Sequence, residues 1–144
     1  HYPMARILII GDGPQHEALK LQITNYKLQK NIVLENWTND LSSYYKTADL
    51  FLLTSNYEGY GRTLIEAASV GCKIISSDVG VADEILPEEN IFEPGNKEQL
   101  KEKIIKAIKG EIKMSNTQCL TKMPTKEQYL QAYKKSWENC EFVE

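Results

Sequence analysis

Two glutamates, separated by seven residues, lie in a short segment that also contains two glycines. The segment covers residues 55–67; Glu58 and Glu66 are the acids, and Gly59 and Gly61 lie between them. A carboxylate accepts paired hydrogen bonds from the neighbouring hydroxyls of a sugar. Glycine leaves the backbone bare, so a ligand can approach the amide groups closely. The segment therefore combines acceptors for hydroxyls with accessible backbone donors.

The residues on either side predict that this segment joins a strand to a helix. An apolar run at residues 49–53 precedes it, and the stretch 63–70 has the pattern of a helix closed by Gly71. The N-terminus of a helix presents unpaired N–H groups and the positive end of the dipole, which suit a phosphate. Amides for a phosphate and acids for two sugars together indicate a nucleotide-sugar site.

The alternative is that both glutamates are solvent-exposed or capping acids, which is the usual outcome for a random pair. Glu66 departs from that pattern because it lies between the apolar pairs 64–65 and 67–68. A carboxylate in such surroundings needs a dedicated partner. This favours a functional role for Glu66.

The rest of the sequence alternates apolar runs with amphipathic stretches. Strands are predicted at residues 5–10, 31–34, 49–55, 72–76 and 90–93, and helices at 16–28, 40–45, 63–70, 83–86, 96–108 and 125–139, with a polar loop over 110–124. Asn96 with Gln99, and Thr125 with Gln128, have capping-box spacing. This order predicts an α/β, doubly wound parallel sheet, whose ligands bind beyond the carboxyl ends of the strands. We expect one domain at 1–124, with a C-terminal helix at 125–144 packing back on it.

Composition excludes several classes of function. The 144 residues are 42% apolar and 26% charged, as in ordinary globular domains. The formal charge of −3 argues against a nucleic-acid binder with a broad basic surface. No apolar run reaches the ~18 residues of a membrane span. The three cysteines form no CxxC pair, so we expect no disulfide framework, no metal site and a reducing, cytoplasmic location.

Residues 58–67, EGYGRTLIEA, resemble the donor-site segment of the family-four glycosyltransferases. Similar pieces follow in family order over about residues 5–108. The resemblance implies the Rossmann-like C-terminal domain of a GT-B enzyme, which transfers a sugar from a UDP-, GDP- or ADP-sugar to an acceptor. It also implies retention of configuration, with no metal and no cofactor.

The resemblance also implies a role for each site residue. Glu58 would contact the transferred sugar and is the catalytic candidate, and Glu66 would bind the ribose hydroxyls. The remaining donor-binding candidates are Gly59 and its neighbours Tyr60, Gly61 and Arg62, and the amides of these three neighbours would hold the distal phosphate. Asn36 and Trp37 belong to the region that would line the base pocket, and Gly11 and Gly13 would leave that end of the sheet open to the nucleotide.

Three of these candidates leave alternatives open. Asn36 stands where the family often has glycine, so the edge of the base pocket would be bulkier. Arg62 replaces an apolar residue and is either a solvated first-turn residue or an extra phosphate contact. Trp37 either stacks on the base or is a packed or exposed edge residue.

The family's C-terminal domain usually begins one strand earlier, with a Gly-Arg turn and a lysine that clamp the donor phosphates. These features and the N-terminal acceptor domain are absent from the 144 residues. In the strand order 3-2-1-4-5-6, the absent strand is the central one. We therefore expect a part of a longer enzyme, inactive by itself, whose other half selects the acceptor and makes any peripheral membrane contact.

Other functions fit the sequence less well. A GT-B sugar-nucleotide 2-epimerase matches residues 59–62 poorly, and a non-catalytic nucleotide-binding or interaction module does not explain why both glutamates are present. A dinucleotide oxidoreductase is disfavoured because residues 11–13 lack the third glycine of its fingerprint. A glycoside hydrolase is disfavoured because its two acids face each other across a cleft.

Overall fold

The computed structural model of the chain describes residues 2–112 and 126–138, in two compact units, His1–Leu41 and Ser42–Glu144. Every predicted strand and helix is present. Residues 113–124 of the predicted loop, and both end residues of the final predicted helix, lie outside the described residues, so the predicted capping box at Thr125 is not described. Within the described residues, no helix is long and apolar enough to cross a membrane.

The first unit is a β-α-β unit. Strand β1 (Ile7–Ile10) pairs in parallel with β2 (Ile32–Glu35), and helix α1 (His16–Asn25) connects them. Helix α1 ends three residues before the predicted boundary, because Lys27 adopts a left-handed conformation with φ of +56°. The N–H of Gly11 donates to the carbonyl of Glu35 at 2.9 Å and extends the ladder by one bond.

The second unit contains a three-stranded parallel sheet in the order β3-β4-β5. Its strands are β3 (Phe51–Leu53), β4 (Ile74–Ser77) and β5 (Ile91–Phe92). Its helices are α2 (Leu41–Thr47), α3 (Arg62–Ser69), α4 (Ala82–Ile85), α5 (Lys97–Ile108) and α6 (Lys126–Glu138), and a 3-10 turn covers Glu88–Asn90. The predicted parallel α/β architecture is confirmed, with the strands in two sheets.

The core of the second unit lies around β4. All four residues of β4 are buried, as expected for the middle strand of a parallel sheet. Helix α3 buries the side chains of Leu64, Ala67 and Ala68. The predicted cap of α5 is present, since the side chain of Asn96 accepts a bond from the N–H of Gln99 at 3.1 Å.

The loop between β3 and α3 is held by the loop that follows β4. The N–H of Val81 donates to the carbonyl of Tyr60 at 3.0 Å. Gly80 has φ of +56°, and a Cβ at this position would lie 2.6 Å from the carbonyl oxygen of Tyr60. Only glycine fits this approach, because any other side chain would displace one of the two backbones.

We expect Gly80→Ala to lower the free energy of unfolding by about 2–4 kcal/mol, because it adds a steric clash to the strain of a positive φ. Gly71→Ala is the matched control, since Gly71 has φ of +77° but open space where its Cβ would stand. It should cost about 1 kcal/mol. Urea unfolding of both variants makes the comparison, and equal losses would contradict the close contact.

Candidate functional site

The carboxylate of Glu58 is held inside the loop between β3 and α3. Glu58 is partly buried, and the Ser55 hydroxyl donates to its Oε1 at 2.8 Å. Within the described part of the chain, no donor is recorded on its other oxygen, Oε2. One oxygen of the carboxylate is thus fixed by the protein, and the second can accept bonds from a ligand hydroxyl.

Glu66 lies one turn into α3, as the sequence predicts, and its partner is Arg62. The Nη2 atom of Arg62 lies 3.6 Å from the Oε1 atom of Glu66. Both side chains face solvent, with 85% of Arg62 and 42% of Glu66 exposed. An exposed pair at this spacing stabilises a helix by only about 0.3–0.5 kcal/mol. The carboxylate of Glu66 therefore stays accessible to a ligand while it is paired with Arg62.

A buried tyrosine lies within the electrostatic reach of Glu66. Tyr45 of α2 is 6% exposed and packs edge-on against the ring of Phe51, with 5.1 Å between the ring centroids. Burial raises the pKa of Tyr45 above its usual value, and the negative charge of Glu66 raises it further. Tyr45 is therefore a neutral core residue.

The first turn of α3 presents backbone donors. Gly61 precedes the helix with φ of +83°, which a side chain would strain. Because Val81 holds the carbonyl of Tyr60, the N–H of Gly61 points the opposite way across the trans peptide. Within residues 2–112 and 126–138, no acceptor is recorded for the N–H groups of Gly61, Arg62 and Thr63. These donors can bind an anion.

Gly11 and Gly13 line a cavity of about 210 Å³ within the first unit. Its walls also include Ile9, Pro14, Gln15, His16, Leu19 and Leu34. A Cβ at either glycine would meet open space, so neither glycine is required by packing inside this unit.

Asn36 and Trp37 follow β2 and are both exposed. The Trp37 side chain is 60% exposed, which removes the alternative of a packed core residue. An exposed indole is available to stack on a flat ligand.

The predicted site residues therefore form two groups, one in each unit. Glu58, Glu66 and the intervening loop share one strand–loop–helix segment, and the glycines of the first unit share a cavity. Within the described residues, no three His, Cys, Asp or Glu side chains are grouped to hold a metal ion.

Three residues that support the site were not predicted from the sequence: Ser55, Ser77 and Gly80. Ser55 gives one local signal, since its spacing of three residues to Glu58 allows a side-chain bond within a turn. Ser77 and Gly80 give none, because their contacts are to residues about 20 positions away in the sequence.

The comparisons with known proteins agree with this geometry. Residues 1–119 match the family model described as glycosyl transferases group 1. The poly(glycerol-phosphate) alpha-glucosyltransferase of Bacillus subtilis is 33% identical over 113 residues, which cover 76% of this chain and 17% of that protein.

Two solved structures share the fold. The Anabaena protein HepE, in a crystal structure with UDP-glucose, superposes with a TM-score of 0.68 at 25% identity, covering 75% of this chain and 32% of that one. TarM superposes with a TM-score of 0.75 at 21% identity, covering 90% of this chain and 28% of that one.

The chain spans about a fifth of the length of the curated relatives that it matches and about a third of the solved chains. Their shared fold is the GT-B fold, and the part they share with this chain is its C-terminal domain. The family match covers well over half of the sequence. This chain therefore belongs to the glycosyl transferases group 1.

Proposed function

We propose that this chain is the donor-binding domain of a retaining, metal-independent glycosyltransferase that moves a sugar from a nucleotide sugar to an acceptor. The observation that carries the proposal is the segment from Ser55 to Glu66, where a fixed carboxylate, three N–H donors without a recorded acceptor and a second carboxylate follow one another. The relative HepE, which was solved with UDP-glucose, supports a nucleotide-sugar donor.

The backbone donors at the start of α3 would bind the distal phosphate. When the glycosidic bond breaks, negative charge develops on the departing diphosphate, and donors that are already oriented stabilise it without reorganisation. The bond from Val81 to Tyr60 supplies this orientation for the N–H of Gly61. Arg62 lies in the same turn and adds positive charge near the phosphate while it remains paired with Glu66.

Each of the two glutamates would bind one of the two sugars of the donor. Glu58 offers Oε2 to the hydroxyls of the transferred sugar, while Ser55 retains Oε1. Glu66, exposed on α3, would accept bonds from the two ribose hydroxyls. The family resemblance assigns the base of a UDP-, GDP- or ADP-sugar to Gly11, Gly13, Asn36 and Trp37, and the exposed indole of Trp37 supports stacking.

The share of each relative that this chain covers supports a second part of the proposal. An acceptor domain elsewhere in a longer enzyme would provide the other wall of the cleft, so the 144 residues alone would bind a donor without transferring its sugar. That other part would choose the acceptor and make any peripheral membrane contact. We keep the cytoplasm as the proposed location, and the cysteine pattern is its only support.

Donor binding by this chain tests the ribose role. We expect Glu66→Ala to weaken binding of the preferred nucleotide sugar about 10- to 100-fold, because it removes hydrogen bonds to a charged group. Saturation-transfer NMR with UDP-glucose, GDP-mannose and ADP-glucose measures the affinity.

The matched control is Glu98→Ala, which also removes an exposed helical acid, one paired with Lys101 at 3.4 Å. It should bind the donor as the wild type does. Equal affinity in the wild type and Glu66→Ala would contradict the ribose role.

Catalysis tests the role of Glu58. In the enzyme that contains this domain, the isosteric Glu58→Gln should lower kcat about 100-fold, since a carboxylate that stabilises the transition state becomes a neutral amide. Steady-state kinetics at saturating acceptor give kcat and the donor KM. Glu98→Gln should behave as the wild type. An unchanged kcat in Glu58→Gln would exclude Glu58 as the catalytic residue.

A further inference from the structure

A chain of hydrogen bonds leads from the buried strand β4 to the carboxylate of Glu58. The hydroxyl of Ser77, which is fully buried, donates to the backbone carbonyl of Ser55 at 2.6 Å. The hydroxyl of Ser55 then donates to Oε1 of Glu58 at 2.8 Å. The interior of the sheet is thus connected to Glu58 through two hydroxyl groups.

Ser77 extends the attachment of the chain beyond the end of the sheet. The ladder between β3 and β4 ends at the pair Leu53 and Ser76, so Ser55 lies two residues past the last paired position. A buried hydroxyl without a partner would be costly. The Ser77 hydroxyl donates mainly to the Ser55 carbonyl, at 2.6 Å, and the Leu53 carbonyl lies farther away, at 3.5 Å. The bond therefore fixes the backbone from which the Ser55 side chain projects.

Ser55 in turn fixes the side chain of Glu58. A glutamate in a loop loses considerable rotamer freedom when it is held in one orientation, and a ligand that had to impose this order would bind and react less well. A hydroxyl bonded to one carboxylate oxygen imposes the order in advance and leaves the other oxygen for the substrate.

We propose that Ser55 is a positioning residue for Glu58, held in register by Ser77, and that it acts on the transfer step through the Glu58 carboxylate alone. This inference rests on the proposed function, in which Glu58 contacts the transferred sugar. If Ser55 only stabilised the turn, its replacement would lower the free energy of unfolding. Its effect on kcat would then not depend on the charge of Glu58.

The first test compares three variants in the enzyme that contains this domain, with whichever of UDP-glucose, GDP-mannose and ADP-glucose the wild type uses. Ser55→Ala should lower kcat about 10-fold and leave the donor KM within about twofold, the pattern of an interaction that matters in the transition state. Ser55→Thr, which keeps the hydroxyl, should return kcat to within about threefold of the wild type.

The matched control is Ser69→Ala. It removes an exposed hydroxyl whose bond, to the Glu66 carbonyl at 2.7 Å, stays within its own helix. It should leave kcat and KM unchanged. A wild-type kcat in Ser55→Ala, or a raised KM with unchanged kcat, would overturn the inference.

A double-mutant cycle separates this inference from the proposed function. In the Glu58→Gln background, Ser55→Ala should change kcat less than twofold, because the carboxylate through which it acts is gone. An additional 10-fold loss there would show that Ser55 acts by another route and would overturn the inference. If Glu58→Gln alone keeps the wild-type kcat, the catalytic role proposed for Glu58 fails, and the positioning role fails with it.

Discussion

The contact between two backbones, at Gly80 and Tyr60, sets the geometry of the loop between β3 and α3 in the second unit. The loop after β4 can approach the loop after β3 only because position 80 has no side chain, and the approach lets Val81 donate to the carbonyl of Tyr60. That single bond sets the direction of the next N–H group and of the first turn of α3. The donor groups of the site are therefore oriented by the neighbouring strand–helix connection and not by their own loop.

The carboxylates of the site are arranged to stay accessible. Glu66 is paired with Arg62, and 42% of its side chain is exposed. Glu58 is held by a hydroxyl, which bonds the carboxylate without neutralising it. In both cases the protein partner is weaker than a buried salt bridge, so the carboxylates keep acceptor capacity for a sugar.

The secondary-structure elements could be predicted from the sequence, because apolar runs and capping residues located every strand and helix. The cap at Asn96 is confirmed. The side chain of Gln99 differs from the predicted capping box, because it accepts from the N–H of Glu93 and not from that of Asn96. Boundaries differ where the local pattern gives no signal. The strand expected to reach Ser55 pairs only to Leu53, and beyond it the carbonyl of Ser55 accepts from the Ser77 hydroxyl.

The contacts of Ser77 and Gly80 that support the site could not be predicted either, because the local sequence pattern gives no signal of them. Two adjacent serines at the end of a strand have the same pattern as an exposed edge, and only the fold shows that both are fully buried. The assigned roles of Glu58 and Glu66 come from the family resemblance together with their spacing, and they stay predictions.

The loop between β3 and α3 alternates anchored positions with unanchored ones. Its anchors are the carbonyls of Ser55 and Tyr60 and the side chain of Glu58, whereas Tyr57 is 83% exposed and Gly59 has open space around it. A mutation at an unanchored position breaks none of the bonds that shape the loop. Under the proposed function, substitutions at these positions would change the sugar that the loop recognises at little cost to folding, while the anchors would keep the shape of the loop.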